Sequence, residues 1–417
     1  MTLTNKIFIA MAAGIAFGSI ANGLPESAYD AWLEQIVFLG LFDVIGSIFV
    51  ASLKLLVVPM VFVSLTCGTA SLGSHGNMGA MAAKTIGLYL MTTAIAITIA
   101  LSMALIIEPG SGDQFNSQLT TDASYQANSA PPLKEVLINI IPSNPIKAMA
   151  EGNMLQVIVF ALLFGIAISR SGEFGVKIAK SFESLNEVIM EMVMILMRLA
   201  PYGIFCLLAK IFYATGFELI QQLFAYFITV VMALLFHGAI IYTGILKLFT
   251  GLSPIKFLKH MRPIMMFGFS TASSNATMPI TLETVEEKMG VKNSVASFTV
   301  PLGATINMDV TAIMQGVATV FIAQAYQIDI GLVGYLTVIL TATLASIGTA
   351  GVPGVGLITL ALVLQQVGLP VEGIALIIGV DRLLDMLRTA LNVTGDSVVS
   401  CVVAKSENAI DTSVFNR

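Results

Sequence analysis

Residues 330–371 read IGLVGYLTVILTATLASIGTAGVPGVGLITLALVLQQVGLPV, with no charged side chain anywhere in the stretch. One helix crosses the hydrocarbon of a bilayer with ~20 apolar residues, so the stretch is about twice too long for a single span. Its middle, Ser346-Ile-Gly-Thr-Ala-Gly-Val-Pro-Gly354, gathers residues that interrupt helices. The spacing predicts two apolar helices folded back on each other, a re-entrant hairpin that enters the membrane and leaves on the same side. Irregular backbone at that depth persists only where protein or a water-filled cavity satisfies its N–H and C=O groups. The tip is therefore expected to line a site.

A second interrupted segment, 263–289, carries Ser270-Thr-Ala-Ser-Ser-Asn-Ala-Thr-Met-Pro279. Each interrupted segment is followed by a span with a polar break of its own: Asn307-Met308-Asp309 after the first and Asn392-Val-Thr-Gly-Asp396 after the second. Loosened turns are expected at 305–307 and 393–395. The pattern is a repeat. Because the first hairpin starts inside and the second outside, the copies have opposite topology, as in secondary transporters that hold substrate and ions at a repeat interface.

The bulk composition sets the same frame. The chain is 56% hydrophobic and 11% charged, where a soluble domain carries about 25% charged residues; its mean hydropathy is +0.90. Uncharged runs recur at 85–107, 152–169 and 219–246, and longer patterns at 7–20, 36–72 and 188–213 carry charges near their ends or at Arg198 and Lys210. The 7–20 run has one preceding lysine and no small-residue cleavage site, and is taken as a first span rather than a signal peptide. Segments 25–34 and 108–132 hold acids and no base, whereas 247–262 holds Lys247, Lys256, Lys259 and Arg262 and no acid. Basic loops stay in the cytoplasm, which puts the first two outside, the third inside and both termini in the cytoplasm. Cys67, Cys206 and Cys401 show no metal-ligand spacing, and no basic cluster follows a nucleic-acid backbone.

The chemistry gathers in the second half. Asp381, Asp385, Arg388, Asn392 and Asp396 lie at steps of four, three, four and four, along one helical face. Ionised groups in a membrane helix turn toward partners or a cavity. Arg388 offers a carboxylate two parallel N–H bonds; the alternative is a structural ion pair with Asp385 or Asp381. Asp309 and Asp396 supply hard oxygens with asparagine, threonine and glycine beside them, a set that suits an alkali cation; the alternative is that they cap helix breaks. Thr92 and Thr93 read by themselves as hydroxyls bonded to their own helix. His75, His237 and His260 read as isolated side chains at membrane edges or in a loop.

The motifs Leu302-Gly-Ala-Thr-Ile-Asn-Met-Asp309, Ala345-Ser-Ile-Gly-Thr-Ala-Gly-Val-Pro-Gly354 and Asp385-Met-Leu-Arg-Thr-Ala-Leu-Asn-Val-Thr-Gly-Asp396 together resemble the dicarboxylate/amino acid:cation symporter family, that of the glutamate and aspartate transporters. Pro59, Tyr89-Leu-Met-Thr-Thr93 and Ile141-Pro-Ser-Asn-Pro145 extend the resemblance along the chain.

The resemblance implies an all-α polytopic membrane protein of eight transmembrane helices plus two re-entrant hairpins, in inverted repeats, that moves as an elevator. It implies a homotrimer in a prokaryotic inner membrane, with scaffold segments 1–75 and 109–216 and transport segments 76–108 and 217–417. In the latter, hairpins fall near 256–290 and 332–368, and the last two spans near 293–326 and 371–405, with the tip at 346–356 as gate. The function implied is sodium-coupled symport of L-aspartate or L-glutamate, with no organic cofactor.

By matching positions, Arg388 with Thr311 would hold the side-chain carboxylate, Asp385 and Thr389 the amino group, and Asn392 with Ser274 the α-carboxylate. Val352 would add a backbone contact, and Gly356 close packing. One sodium site would use Gly303, Asn307, Asn392 and Asp396; a second Thr305, Ser346, Ile347 and Thr349; a third Tyr89, Thr92, Thr93, Asn307 and Asp309. Resemblance thus moves Thr92 and Thr93 from helix packing to ion binding.

Some positions depart from the family's pattern. Val310 stands where glycine is usual, Asn275 replaces a hairpin serine, and Ala272 and Met386 occupy places where relatives carry an additional arginine; Arg382 lies one turn before Met386. The competing readings are a proton-coupled glutamate or C4-dicarboxylate symporter of the same fold, a substrate-gated anion channel, and an intramembrane enzyme, the last without a nucleophile or metal cluster to support it.

Overall fold

The computed structural model describes residues 3–23, 33–71, 79–111, 141–215, 218–347 and 354–416. Their regular structure is helical, apart from one isolated bridge between Val291 and Ile410. Helix α1 spans Leu3–Asn22; a π-helical run, Leu33–Phe42, leads into α2, Asp43–Ser71; α3 spans Gly79–Ile107 and α4 Pro145–Glu151. Then come α5 (Met154–Arg170), α6 (Gly172–Met197), α7 (Ala200–Thr215) and α8 (Glu218–Phe236), which passes through π-helical His237–Tyr242 into α9 (Thr243–Thr250). The remainder is α10 (Pro254–Thr271), α11 (Ser274–Glu287), α12 (Asn293–Ile306), α13 (Asp309–Ala325), α14 (Gly331–Ser346), α15 (Val355–Gln366), α16 (Ile374–Ser406) and α17 (Thr412–Phe415).

Among the described residues, four helical stretches are long and apolar enough to cross a membrane: Glu34–Cys67, Met81–Ile107, Leu223–Thr250 and Asn293–Ala325. Gly172–Leu196 and Ala200–Ala214, bent by 47° at their junction, make a fifth. The 188–213 pattern is thus two helices with a break at Arg198 and Leu199. Lys6–Asn22 and Gln156–Arg170 are shorter apolar helices. Helix α16 has 33 residues, about 50 Å at 1.5 Å per residue. It carries Asp381, Asp385, Arg388 and Asp396 buried along its length.

A helix pair stands at each place where a hairpin is expected. Between α10 and α11 the chain reverses over only Ala272 and Ser273. Ala272 takes the left-handed conformation at φ 49° and donates its N–H to Gly268 O, while the Ser273 hydroxyl accepts from the N–H of Ala276. The polar stretch 270–279 does not unravel beyond that, because Ser270, Thr277 and Thr281 return their hydroxyls to carbonyls one turn earlier, at 2.8, 2.8 and 3.1 Å. Helices α14 and α15 form the second pair and pack on each other; the tip between them, with Thr349 and Val352, lies outside the described residues.

The span after the first hairpin breaks as expected. Helix α12 ends at Ile306, Asn307 and Met308 leave helical geometry, and α13 begins at Asp309. The span after the second does not break: α16 is α-helical through 393–395, which corrects the expectation of a loosened turn. No proline interrupts it, and Thr394 and Ser397 bond to carbonyls one turn back at 2.8 and 2.9 Å. Gly395 answers to packing instead, since a Cβ there would overlap the Tyr242 hydroxyl.

Helix α16 is the axis on which the site is built. Helices α10, α11, α12, α13 and α15 pack around it, with α8 and α9 on another side. Helix α3 lies along α13 and α14, while α1, α2, α5, α6 and α7 pack mainly among themselves; α15 bridges to α2 and α7 to α16.

Candidate functional site: two buried ionic centres on one helix

All five polar residues of the α16 stripe are buried, and Arg388 is only 1% exposed. Its Nη1 donates to Asp381 Oδ1 at 2.9 Å and its Nη2 to Asp385 Oδ1 at 2.9 Å. The other oxygen of Asp385 accepts from the N–H of Gly354, at the start of α15, at 3.1 Å, and from Arg382 Nη1 at 3.3 Å. The ion-pair alternative for Arg388 is therefore realised with both aspartates at once. Nε is buried and has no partner among the described residues, so at least that guanidinium donor remains unused.

Helix α15 packs against this centre. A Cβ on Gly356 would lie 3.1 Å from Arg388 Nη2 and 3.1 Å from Met314 Cε, closer than nearly all such contacts, so glycine lets α15 rest on the guanidinium. One turn along, Thr389 returns its hydroxyl to Asp385 O at 3.0 Å. Asn392 accepts from the N–H of Val310 at 3.1 Å and donates to Thr311 Oγ1 at 3.4 Å. Val310 is fully buried. Ser274, 5% exposed, opens α11, which packs on the same helix. Of the expected substrate-contacting residues, all but Val352 are thus described, and each belongs to α16 or to an element packed on it.

The second centre lies where the break between α12 and α13 meets α3 and α16. Asp309 is fully buried; Thr93 Oγ1 reaches its Oδ1, and Tyr242 Oη donates to its Oδ2 at 3.1 Å. Thr93 also lies 2.8 Å from Tyr89 O, where Thr92 bonds at 3.0 Å, so the single hydroxyl proton of Thr93 serves two acceptors. Asp396, 2% exposed, accepts from Asn307 Nδ2 at 2.7 Å, and the same amide reaches Asn392 O at 3.2 Å. The Asn307 carbonyl oxygen is buried without a partner. A Cβ on Gly303 would overlap Asp396 Oδ1 and lie 2.6 Å from Tyr89 Oη.

Neither Asp309 nor Asp396 has a lysine or arginine within ion-pairing distance among the described residues. An ionised carboxylate without a partner in such an interior costs several kcal/mol. The donors around the pair are hydroxyl, amide and carboxylate oxygens, and no cluster of three or more His, Cys, Asp or Glu exists among the described residues. The arrangement takes up a monovalent cation or a proton more readily than a soft transition metal.

The remaining expected ion site is not assembled among the described residues. Ser346 is buried and bonds to Thr343 O at 2.8 Å, and Ile347 is extended at the end of α14; Thr349 and the side chain of Thr305 lie outside the described residues. Two participants escaped the sequence reading altogether. His237 is fully buried rather than at a membrane edge, with Nε2 3.5 Å from Asp309 Oδ2 and both ring nitrogens unpaired, and Tyr242 stacks edge-on against it. Both belong to the π-helical segment, whose wider turn shifts every later side chain off the 3.6-residue wheel.

A helical membrane protein whose helix breaks surround buried, uncompensated carboxylates is built as a secondary transporter. The chain belongs to the sodium:dicarboxylate symporter family, whose model matches residues 3–406. It is 34% identical to the proton/sodium-glutamate symport protein of Bacillus caldotenax, over 96% of this chain and 94% of the relative. It is 34% identical to the proton/glutamate-aspartate symporter of Escherichia coli K12, over 98% and 94%, and 32% identical to human excitatory amino acid transporter 3, over 96% and 85%. Membership makes the chain a symporter rather than an enzyme.

Proposed function

We propose that this protein imports an acidic amino acid, L-aspartate or L-glutamate, together with sodium. The observation that carries the reading is the pairing of two centres along α16: one with an arginine and an aspartate side by side, the other with two carboxylates and, among the described residues, no lysine or arginine partner. Arg388 takes the substrate's side-chain carboxylate, assisted by Thr311, in exchange for Asp381. Asp385 and Thr389 take the ammonium group, and Asn392 with Ser274 the α-carboxylate. A plain dicarboxylate has no use for Asp385, and a neutral amino acid none for Arg388.

Charge balance supports several coupling ions. Arg382 and Arg388 offset Asp381 and Asp385, leaving Asp309, Asp396 and the single net charge of the substrate. Three monovalent cations neutralise that remainder, matching three sites around Asp309, around Asp396 and beneath the second hairpin tip. Each positive charge moving inward down 100 mV releases roughly 2.3 kcal/mol. The full architecture proposed is eight spans and two hairpins in an inner membrane, assembled as a trimer. In it α3 and α8–α17 travel as one transport domain against a scaffold of α1, α2 and α4–α7, and both termini are cytoplasmic.

A second reading keeps the fold and substitutes protons for sodium. It draws on the same two carboxylates, which protons neutralise equally, and on relatives named for proton coupling. Uptake of labelled L-aspartate and L-glutamate into proteoliposomes separates the two. An inward sodium gradient at equal pH is expected to drive accumulation. Accumulation driven by a pH gradient in sodium-free buffer, with none from sodium, overturns the sodium reading.

A further inference from the structure

Between α3 and the π-helical segment leading into α9 runs a groove of about 550 Å³ that the transport mechanism does not use. Met91 and Ile95 form one wall, Ile240, Ile241 and Leu248 the other. The floor is open at Gly244, where a Cβ would meet no atom within 4 Å. Lys247, beside Leu248 at one end of the groove, is the only charged residue in its lining. Leu248 is 80% exposed and Met91 41%, so this face is apolar and outward.

We propose that the groove between α3 and α9 seats one acyl chain of an anionic phospholipid, with Lys247 holding its phosphate. The proposal rests on the membrane-spanning reading of the fold. From Ile240 to Leu248 a helix rises about 12 Å, close to the ~15 Å of hydrocarbon in one leaflet. A groove of that length with a cation at its mouth matches one chain and one headgroup. Lys247 donates to Gly251 O at 3.3 Å, and two of its three N–H donors are left for phosphate oxygens. It opens the segment 247–262, which holds four basic residues and no acid, so the groove's mouth attracts an anionic rather than a zwitterionic headgroup. The groove walls are the outer surfaces of the segments whose inner surfaces hold Asp309: Met91 precedes Thr92 and Thr93, and Ile241 precedes Tyr242. A seated chain therefore braces the ion centre from behind.

The test reads lipid retention, not transport, so it fails independently of the proposed symport. The full-length protein in detergent is titrated with phosphatidylglycerol or phosphatidylcholine of matched chains, and bound lipids are counted by native mass spectrometry. Wild type is expected to hold phosphatidylglycerol about fivefold more strongly, with inorganic phosphate failing to displace it. Lys247→Gln is expected to erase the headgroup preference, and Gly244→Phe, which fills open space, to remove one bound lipid of either kind. Equal affinity for both lipids in wild type, an unchanged preference in Lys247→Gln, or an unchanged lipid count in Gly244→Phe overturns the proposal.

Discussion

Arg388 reaches back two turns along its own helix to place Nη1 2.9 Å from Asp381 Oδ1, while its Nη2 is held one turn nearer by Asp385. The guanidinium proposed to hold the substrate's carboxylate is thus already neutralised by the protein. A carboxylate entering the site competes with an internal one rather than meeting a bare charge, which spares the protein an uncompensated buried cation when the site is empty.

On the proposed reading, that exchange makes Arg388 and Asp385 the basis of selectivity. Arg388→Ala is expected to lower aspartate affinity by at least about a hundredfold, the order of a buried charge-assisted pair. Asp385→Asn is expected to weaken aspartate strongly and succinate little, because only aspartate brings an ammonium group. Calorimetric titration of aspartate and succinate against each variant checks both; equal losses for the two ligands in Asp385→Asn contradict the assignment.

Asp309 and Asp396 are each expected to account for one coupling cation. Replacing either with asparagine removes one buried negative charge, so the slope of log aspartate affinity against log sodium concentration falls by about one in each variant. Titration at several sodium concentrations gives the slope; an unchanged slope in both variants removes these carboxylates from coupling.

Gly303 and Gly395 are demanded by packing, not by backbone conformation. A Cβ at Gly303 overlaps Asp396 Oδ1 and one at Gly395 overlaps Tyr242 Oη, and overpacking of this kind costs about 1–3 kcal/mol. Alanine at either position is expected to lower the thermal unfolding midpoint in detergent and weaken sodium binding together. Gly244→Ala, with open space at its Cβ, is the matched control and should do neither.

His237 holds two unpaired nitrogens in a fully buried ring beside Asp309. A buried imidazole of this kind is satisfied by an ordered water or, at its unprotonated nitrogen, by a cation, and losing a bond to a charged group costs about 1.5–3 kcal/mol. His237→Leu is therefore expected to weaken sodium binding about tenfold or more at unchanged expression, and His237→Gln, which keeps a polar group, to recover part of it. Sodium titration of both variants decides; full affinity in the leucine variant leaves the ring a packing residue.

The family, the helical class, the helix pairs at the two interrupted segments and the polar stripe of α16 were all legible in the amino-acid sequence. They rest on local signals: the length of uncharged runs, helix-breaking residues at their centres, and a one-face spacing that survives any arrangement of neighbours. Where a residue's role depends on what another segment brings, the one-dimensional pattern fails. The polar run 270–279 reads as a long interruption, but hydroxyls bonded to their own helix confine the break to Ala272 and Ser273. Gly395 reads as a loosened turn, but Tyr242 explains it from outside.

By itself, the sequence determined that this chain lives in a bilayer, folds into helices, and carries an arginine and several aspartates on one inward face; hydropathy and helical periodicity are properties of neighbouring residues. Only the tertiary structure decided that Arg388 is shared between two aspartates, that Asp309 and Asp396 have no lysine or arginine partner among the described residues, and that a π-helical turn carries His237 and Tyr242 to Asp309. Those facts join residues from helices far apart in the chain, and no local pattern encodes which partner arrives.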